Sequence, residues 1–506
     1  MPFRFAVPAL AALSLLVSCL LISPKKLFWF DEIASFLLAS APSVPRLLAA
    51  VADQTDTAPP LFHLIIWGWT RLFPPGELSL RLVSALGMAI ALLVLWRTLS
   101  RTYAFWPVAL GVLNAFCLST LLLLQNAEAR FYGVFVALTA MALWVYDRLG
   151  REESWKLLAA NALLHAALVL VHVYGFFYSG ALLGAFVVRD LAEGKLKPRV
   201  YLTVVAGWLA FVPWIPSYRW QMQVGQPHSW MPVPTPEMLM AAYSFSLPLP
   251  LILIGLFFVG ALFALARRRG AADAPEPPEA RSENSLWIAA FALLTVPLAA
   301  WIFSRLAFPI FQDRYTLPAL ASWAILFAAL ASRLLPARPF EGWKRPSLFA
   351  TPARLALVVW LVGLLAAPVA YGALVRQQTP PHQLDEALGH VDLPVALESP
   401  HLYLPRFYYA ERRDRYHYIL DWEAATSPRS ITAAAPDYKI LSGFKRHYPQ
   451  LNVTQSEAFL KAHERFLLVD EDYRAWSELR LESNPMYKLT ALGQTAGGMV
   501  YLVERR

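Results

Sequence analysis

A few polar side chains in a largely apolar chain are of the types that could do acid-base or anion-binding work. The first group is Phe28-Trp29-Phe30-Asp31-Glu32, a carboxylate pair behind three aromatic residues. A carboxylate within reach of a hydroxyl serves as a general base. A carboxylate ahead of a helix equally caps it, and Asp31 before the apolar segment Ile33 to Ser40 fits that reading too. Asp56, in Asp53-Gln54-Thr55-Asp56-Thr57-Ala58-Pro59-Pro60, is a second acid, placed where two prolines end a loop, so turn chemistry and catalysis both suit it. Glu128 and Arg130 occur in Gln125-Asn126-Ala127-Glu128-Ala129-Arg130-Phe131-Tyr132, between two apolar runs, where a charge is costly unless paired or used. Arg314 and Tyr315, in Gln312-Asp313-Arg314-Tyr315-Thr316-Leu317-Pro318, repeat that design. Arginine suits phosphate because its planar fork makes two charge-assisted bonds, although arginines at helix ends also snorkel to the interface. His172 and Tyr174 close another apolar run, with Lys25, Lys26, Arg81 and Arg219 as the remaining cations of this set.

What must position these groups is a membrane-embedded helical body. Of the 506 residues, 57% are hydrophobic and 16% charged, against about a quarter charged in an ordinary soluble protein. Apolar runs long enough to cross a bilayer recur over 5–23, 82–99, 104–123, 132–147, 155–172, 174–188, 200–216, 241–266, 286–303, 316–332 and 353–371, about eleven transmembrane helices in all. Leu61 to Phe73 is too short to span, so it is expected to lie in the interface, as is Ile33 to Val51.

Charges orient the runs. One set of alternating loops holds Arg97 and Arg101, Arg148, Arg151 and Lys156, Arg189, Lys195, Lys197 and Arg199, Arg267 to Arg269, then Arg333, Arg338, Lys344, Arg345 and Arg354. Basic loops stay on the cytoplasmic side. The N-terminus is then cytoplasmic. Pro24 to Leu80, Gln125 to Arg130, His172 to Tyr174, Ser217 to Met240, Ser304 to Tyr315 and everything after Tyr371 face outward. All the candidate groups above fall on this outer side.

The composition changes after Tyr371. Residues 376–506 carry dispersed charges and no spanning run, with strand-like stretches at Pro394 to Leu397, Tyr416 to Leu420, Phe466 to Val469 and Val500 to Val503 between helical ones such as Leu402 to Ala410 and Ser456 to His463. The expected organisation is an all-α membrane domain over 1–375 with interfacial helices in its first outward loop, and a small α/β soluble domain over 376–506 on the outer side of the membrane. The net charge of +9 lies in the inner loops rather than on one face, which argues against nucleic acid as a partner. Cys19 and Cys117 sit inside apolar runs and are not placed to bridge in the soluble part. Leu16-Val17-Ser18-Cys19 has the look of a lipoprotein signal, but the apolar run continues past the cysteine. No paired-histidine zinc motif, Walker loop, dinucleotide-binding glycine pattern or nucleophile elbow occurs. No cofactor is called for. A divalent cation would need the scattered outward carboxylates and His172 to converge, and no spacing argues for one.

The ordered set Trp29-Phe30-Asp31-Glu32, Ala58-Pro59-Pro60-Leu61-Phe62-His63, Arg81-Leu82-Val83-Ser84-Ala85-Leu86, Glu128-Ala129-Arg130-Phe131-Tyr132 and Arg314-Tyr315-Thr316-Leu317-Pro318 resembles the polytopic GT-C glycosyltransferases. The likeness is to the protein O-mannosyltransferase and aminoarabinose transferase type, including bacterial lipopolysaccharide-core galacturonosyltransferases, and covers roughly residues 5–375. It implies transfer of a sugar from a polyprenyl-phosphate carrier, without nucleotide sugars and usually with inversion, to a lipid, glycan or protein acceptor on the outer face. The first-loop aspartate is the suspected base of that family, so the resemblance assigns the role to Asp31, supported by Glu32 and Asp56. Glu128, Arg130, Tyr132, His172, Tyr174, Arg219, Arg314 and Tyr315 become the substrate-binding set, with Arg130, Arg219 and Arg314 as the cations for phosphate. The aminoarabinose branch has a lysine just before the proline of the second motif, where this chain has Ala58. Two other functions share the composition, a transporter or flippase of lipid-linked sugars and a scaffold presenting the C-terminal domain, but no inverted repeat is visible.

Overall fold

The computed structural model describes residues 3–225, 231–268, 279–336, 338–340, 349–383, 389–390, 392–427, 434–470, 475–495 and 497–506. Arg269, Lys344 and Arg345 of the inner loops, and part of the loop Ser217 to Met240, lie outside these residues. Contacts divide the chain into two compact units, one of residues 1–23, 78–212 and 233–375, the other of residues 24–77, 213–232 and 376–506.

Along the chain the helices are α1 (Phe3–Ile22), α2 (Phe30–Ala39), α3 (Val44–Ala52), α4 (Pro60–Trp69), α5 (Glu77–Leu99), α6 (Phe105–Leu118), α7 (Thr120–Asn126), α8 (Tyr132–Arg151) and α9 (Trp155–Val171). They continue with α10 (Gly175–Ala192), α11 (Pro198–Trp208), α12 (Ile215–Trp220), α13 (Pro236–Ser244), α14 (Leu249–Arg268), α15 (Ala280–Leu306), α16 (Leu320–Leu334) and α17 (Ala350–Leu374). Among the described residues, nine helical stretches are long and apolar enough to cross a membrane. The bent pair α6 and α7 makes a tenth when counted as one span, and α9, at 17 residues, is shorter. Most of each expected run is therefore helical, with 241–266 interrupted at 245–248 so that its span begins at Leu249, and the chain is a multi-pass membrane protein.

Two local devices shape the first unit near its candidate residues. Ser119 breaks the third span: its backbone is extended, and its hydroxyl accepts from the Leu122 amide at 3.2 Å while donating to the Phe245 carbonyl at 2.6 Å. That serine restarts the helix at an angle of 66° and turns α7 toward the Glu128 to Phe131 turn. Gly133, in the first turn of α8, lets α8 meet α5, because a Cβ there would overlap the Ser84 backbone. The Ser84 hydroxyl uses that proximity, accepting from the Gly133 amide at 3.1 Å and donating to the Gln125 carbonyl at 3.1 Å.

The second unit joins the first loop to the C-terminal chain. Its strands are β1 (Val395–Leu397), β2 (Tyr416–Leu420), β3 (Val453–Gln455), β4 (Arg465–Asp470), β5 (Tyr487–Thr495) and β6 (Gly498–Arg505), and its main helices are α18 (Pro400–Tyr409), α19 (Trp422–Ala425), α20 (Ala434–His447) and α21 (Ser456–Ala462). The sheet order is β3-β2-β1-β4-β6-β5, with β3, β2, β1 and β4 parallel and β6 antiparallel to both β4 and β5. Ala396, Ile419, Phe459, Phe466, Leu468, Trp476 and Val503 form its core. The four anticipated strands are present. β3 and β5 were not anticipated, because only one of the three residues of β3 is buried and β5 shows no buried face on which an alternating pattern could be selected.

Candidate active site

In the first unit the turn after α7, the α9–α10 junction and the 3-10 turn Asp313–Ala319 bring distant residues together. The Phe131 ring stacks on His172, with centroids 4.3 Å apart and planes 20° from parallel. His172 lies 4.5 Å from Tyr315, which also meets Tyr174 at 5.2 Å and Tyr132 at 6.4 Å. Arg130 is held over Phe131 and Arg314 over Tyr315, each guanidinium carbon 5.5 Å from the ring centroid. Tyr132 lies in the field of Arg314, Glu128 and Arg130 together. Glu128, Arg130, Tyr132, His172, Tyr174, Arg314 and Tyr315 thus form one aromatic and charged cluster, in which Arg314 and Tyr315 are half-buried and the others buried. Such an arrangement presents guanidinium groups beside flat ring faces, suited to an anion attached to a sugar ring.

His172 is one ring of the cluster. Its Nδ1 accepts the Tyr174 amide at 3.3 Å, which leaves the proton of the neutral ring on Nε2. Among the described residues no group of three or more histidine, cysteine, aspartate or glutamate side chains gathers at metal-binding distance.

An apolar groove of about 710 Å³ opens between α10 and α15 in the same unit. Phe176 and Phe177 line it from the first turn of α10, beside Tyr174, and Gly180 and Gly184 continue it down the helix, opposite Phe291 and Thr295 of α15. A Cβ at either glycine would meet nothing within 4 Å, so both glycines widen the groove instead of serving a close helix contact.

The second unit holds Asp31, Glu32, Asp56 and Arg219. α2 begins at Phe30, with Trp29 as its N-cap residue and no side-chain cap bond, so Asp31 and Glu32 occupy the first turn. The capping role considered for Asp31 is therefore corrected: the helix starts three residues earlier than expected, and both carboxylates stand in its first turn, where its dipole favours negative charge. Glu32 is fully buried, and the hydroxyl of Ser35 donates to the Asp31 carbonyl at 2.9 Å. The aromatic residues before the pair rest on the C-terminal chain: Trp29 stacks on His401 at 6.1 Å, Phe30 meets the same ring edge-on at 4.9 Å, and the Phe28 amide donates to the Tyr409 hydroxyl at 2.6 Å.

Asp56 has the turn role weighed for it. Its Oδ1 accepts the Ala58 amide at 2.8 Å, as a turn residue would, while Oδ2 lies 3.7 Å from Nε2 of the buried His63. Arg219, on α12, is exposed and belongs to a different unit from Arg130 and Arg314. Tyr178, His63, His401, Tyr409 and the groove glycines escaped the sequence reading. His63 lay inside a quoted motif; the others sit in apolar or aromatic runs where nothing but three-dimensional proximity distinguishes them.

Residues 57–217 match the model of the family described as dolichyl-phosphate-mannose-protein mannosyltransferase. No sequence among the curated proteins matches. The fold is that of ArnT from Cupriavidus metallidurans. Its apo crystal structure is 13% identical with a TM-score of 0.62, covering 99% of this chain and 98% of that one. The structure of the same protein bound to undecaprenyl phosphate is 15% identical with a TM-score of 0.56, covering 98% and 97%. It is the multi-pass helical membrane fold with a small C-terminal α/β part that the sequence led us to expect.

Proposed function

We propose that this chain is a membrane glycosyltransferase that takes a sugar from a polyprenyl-phosphate carrier and passes it to a lipid, glycan or protein acceptor on the outer face of the bacterial plasma membrane. One observation carries the reading: a single helix, α10, lines an apolar groove and, from the residue before its first turn, contacts the cluster of Arg130, Arg314 and Tyr315. The class of ligand with matching chemistry has a long hydrocarbon tail, a phosphate and a sugar. The undecaprenyl phosphate bound to the similarly folded ArnT supports this class.

In this reaction the acceptor oxygen attacks the anomeric carbon, the bond from that carbon to the phosphate oxygen breaks, and the configuration inverts. Asp31 takes the acceptor's proton as the new bond forms. The phosphate leaves with additional negative charge, which Arg130 and Arg314 stabilise by charge-assisted hydrogen bonds. Tyr132, His172 and Tyr315 offer ring faces to the sugar, Tyr174 completes their wall, and Glu128 accepts from sugar hydroxyls. Glu32 and Asp56 keep the first-loop helices charged and ordered around Asp31, and Arg219 is a further cation for the acceptor or carrier phosphate. Ala58 supplies no cation, so the phosphate relies on arginine rather than lysine.

Mass spectrometry of envelope glycolipids and glycoproteins from cells with and without the protein tests the proposal. A single sugar is expected to be missing from one glycoconjugate without the protein and in cells expressing Asp31→Asn at normal level. An unchanged profile in both would overturn it.

A further inference from the structure

The 3-10 turn Asp313–Ala319 carries Arg314 and Tyr315, and together with the loop that leads into it from α15 it is tied down at three places. The Ser304 hydroxyl accepts the Ile310 amide at 2.9 Å, the Tyr174 hydroxyl donates to the Ile310 carbonyl at 2.8 Å, and the Tyr178 hydroxyl donates to the Tyr315 carbonyl at 3.3 Å. Tyr174 and Tyr178 are four residues apart, so they stand one above the other on the same side of α10. Both are about 1% exposed or less, and the Tyr178 ring is fixed edge-on against Phe135 at 5.1 Å. Both hydroxyls are thereby committed to backbone carbonyls on either side of Gln312 and Asp313.

The same helix lines the groove with Phe176, Phe177, Gly180 and Gly184. α10 is thus a ruler with the groove along part of its surface and a two-point tyrosine bracket holding the arginine turn. We infer that Tyr178, together with Tyr174, is a positioning residue that fixes Arg314 at a set distance from the groove, so that a carrier's phosphate meets the guanidinium only when its tail is seated. This rests on the function proposed above. Neither hydroxyl touches the carrier; each acts through the turn it holds.

The test compares two probes, undecaprenyl phosphate and undecaprenol, which share the tail and differ in the phosphate. Their affinities for the purified full-length chain in nanodiscs are measured by native mass spectrometry for wild type, Tyr178→Phe and Tyr174→Phe, with melting curves as a folding check. Wild type is expected to prefer the phosphorylated lipid. Each variant keeps the ring and loses one hydroxyl, so it should keep undecaprenol binding while the preference for phosphate falls about five- to tenfold. An undiminished preference in both variants, or equal loss for the two lipids, overturns the inference and leaves the carrier reading standing. A wild type that binds neither lipid, or does not distinguish them, overturns the carrier reading itself.

Discussion

Arg446 donates two hydrogen bonds to Asp53, at 2.7 and 2.6 Å, joining residues 393 positions apart in the chain. Asp53 ends α3 in the first loop and Arg446 lies in the last turn of α20; Lys439 of the same helix at 3.8 Å and His447 at 3.3 Å add to the same carboxylate. The loop that carries Asp31 is therefore fastened to the C-terminal sheet domain within one compact unit. Asp53→Asn should cost no more than about 1 kcal/mol, because the Arg446 side chain is half exposed. A double-mutant cycle with Arg446→Gln, followed by thermal unfolding at low and at 1 M salt, should find the coupling and then lose it to screening.

Asp31→Asn keeps the shape of the first turn and removes the base. Single-turnover sugar transfer should slow by roughly 10²- to 10⁴-fold, the range for general-base loss, with carrier affinity unchanged. A fall in affinity with unchanged turnover would place Asp31 in binding instead.

Arg314→Lys retains the positive charge but not the planar fork stacked over Tyr315. If the fork meets phosphate through two bonds, the conservative variant should weaken undecaprenyl phosphate binding about tenfold or more. Equal affinity for the two proteins would show that charge alone suffices.

Gly184→Leu should leave folding intact, since a Cβ there meets nothing within 4 Å, yet its branched side chain would project into the groove between α10 and α15. Carrier affinity should fall at least tenfold, with no change in melting temperature. Unchanged affinity for undecaprenol would mean that the tail lies elsewhere.

Glu398 follows β1 and Asp470 ends β4, at neighbouring positions of a parallel pair whose register places Leu397 beside Val469. Burial first, and the Asp470 charge second, push the Glu398 carboxyl up to about 8. The folded state holds this proton more tightly than the unfolded state, so the stabilisation is complete below the ordinary value of 4.5 and is lost as pH rises through about 8. Thermal unfolding of the full chain should show the second unit losing stability between those values, by an amount on the order of a few kcal/mol. Glu398→Gln, which needs no proton, should flatten the profile; an equal slope in the variant would assign it to another group.

The sequence alone determined the membrane body, for a physical reason that involves no tertiary contact. A helix satisfies its own backbone in lipid, so an apolar run of sufficient length declares a span by itself. The runs around Leu82 to Leu99, Leu286 to Phe303 and Leu355 to Tyr371 are legible in this way, and so is the change of composition beyond Tyr371. Motif order likewise marked Asp31, Arg130 and Arg314 as residues to weigh. Asp31 as a helix cap was a local reading that tertiary structure overturned: Phe28, Trp29 and Phe30 pack on His401, Tyr408 and Tyr409, and α2 begins at Phe30, ahead of the aspartate. Which residues meet was decided only by the fold. Phe131, His172 and Tyr315 come from three separate stretches of chain, and their stacking depends on a bend at Ser119, a glycine contact at Gly133 and a loop held by Tyr174 and Tyr178. None of these leaves a periodic signal. Helix periodicity records which side of an element is apolar, whereas the meeting of distant side chains depends on angles and offsets that accumulate through packing.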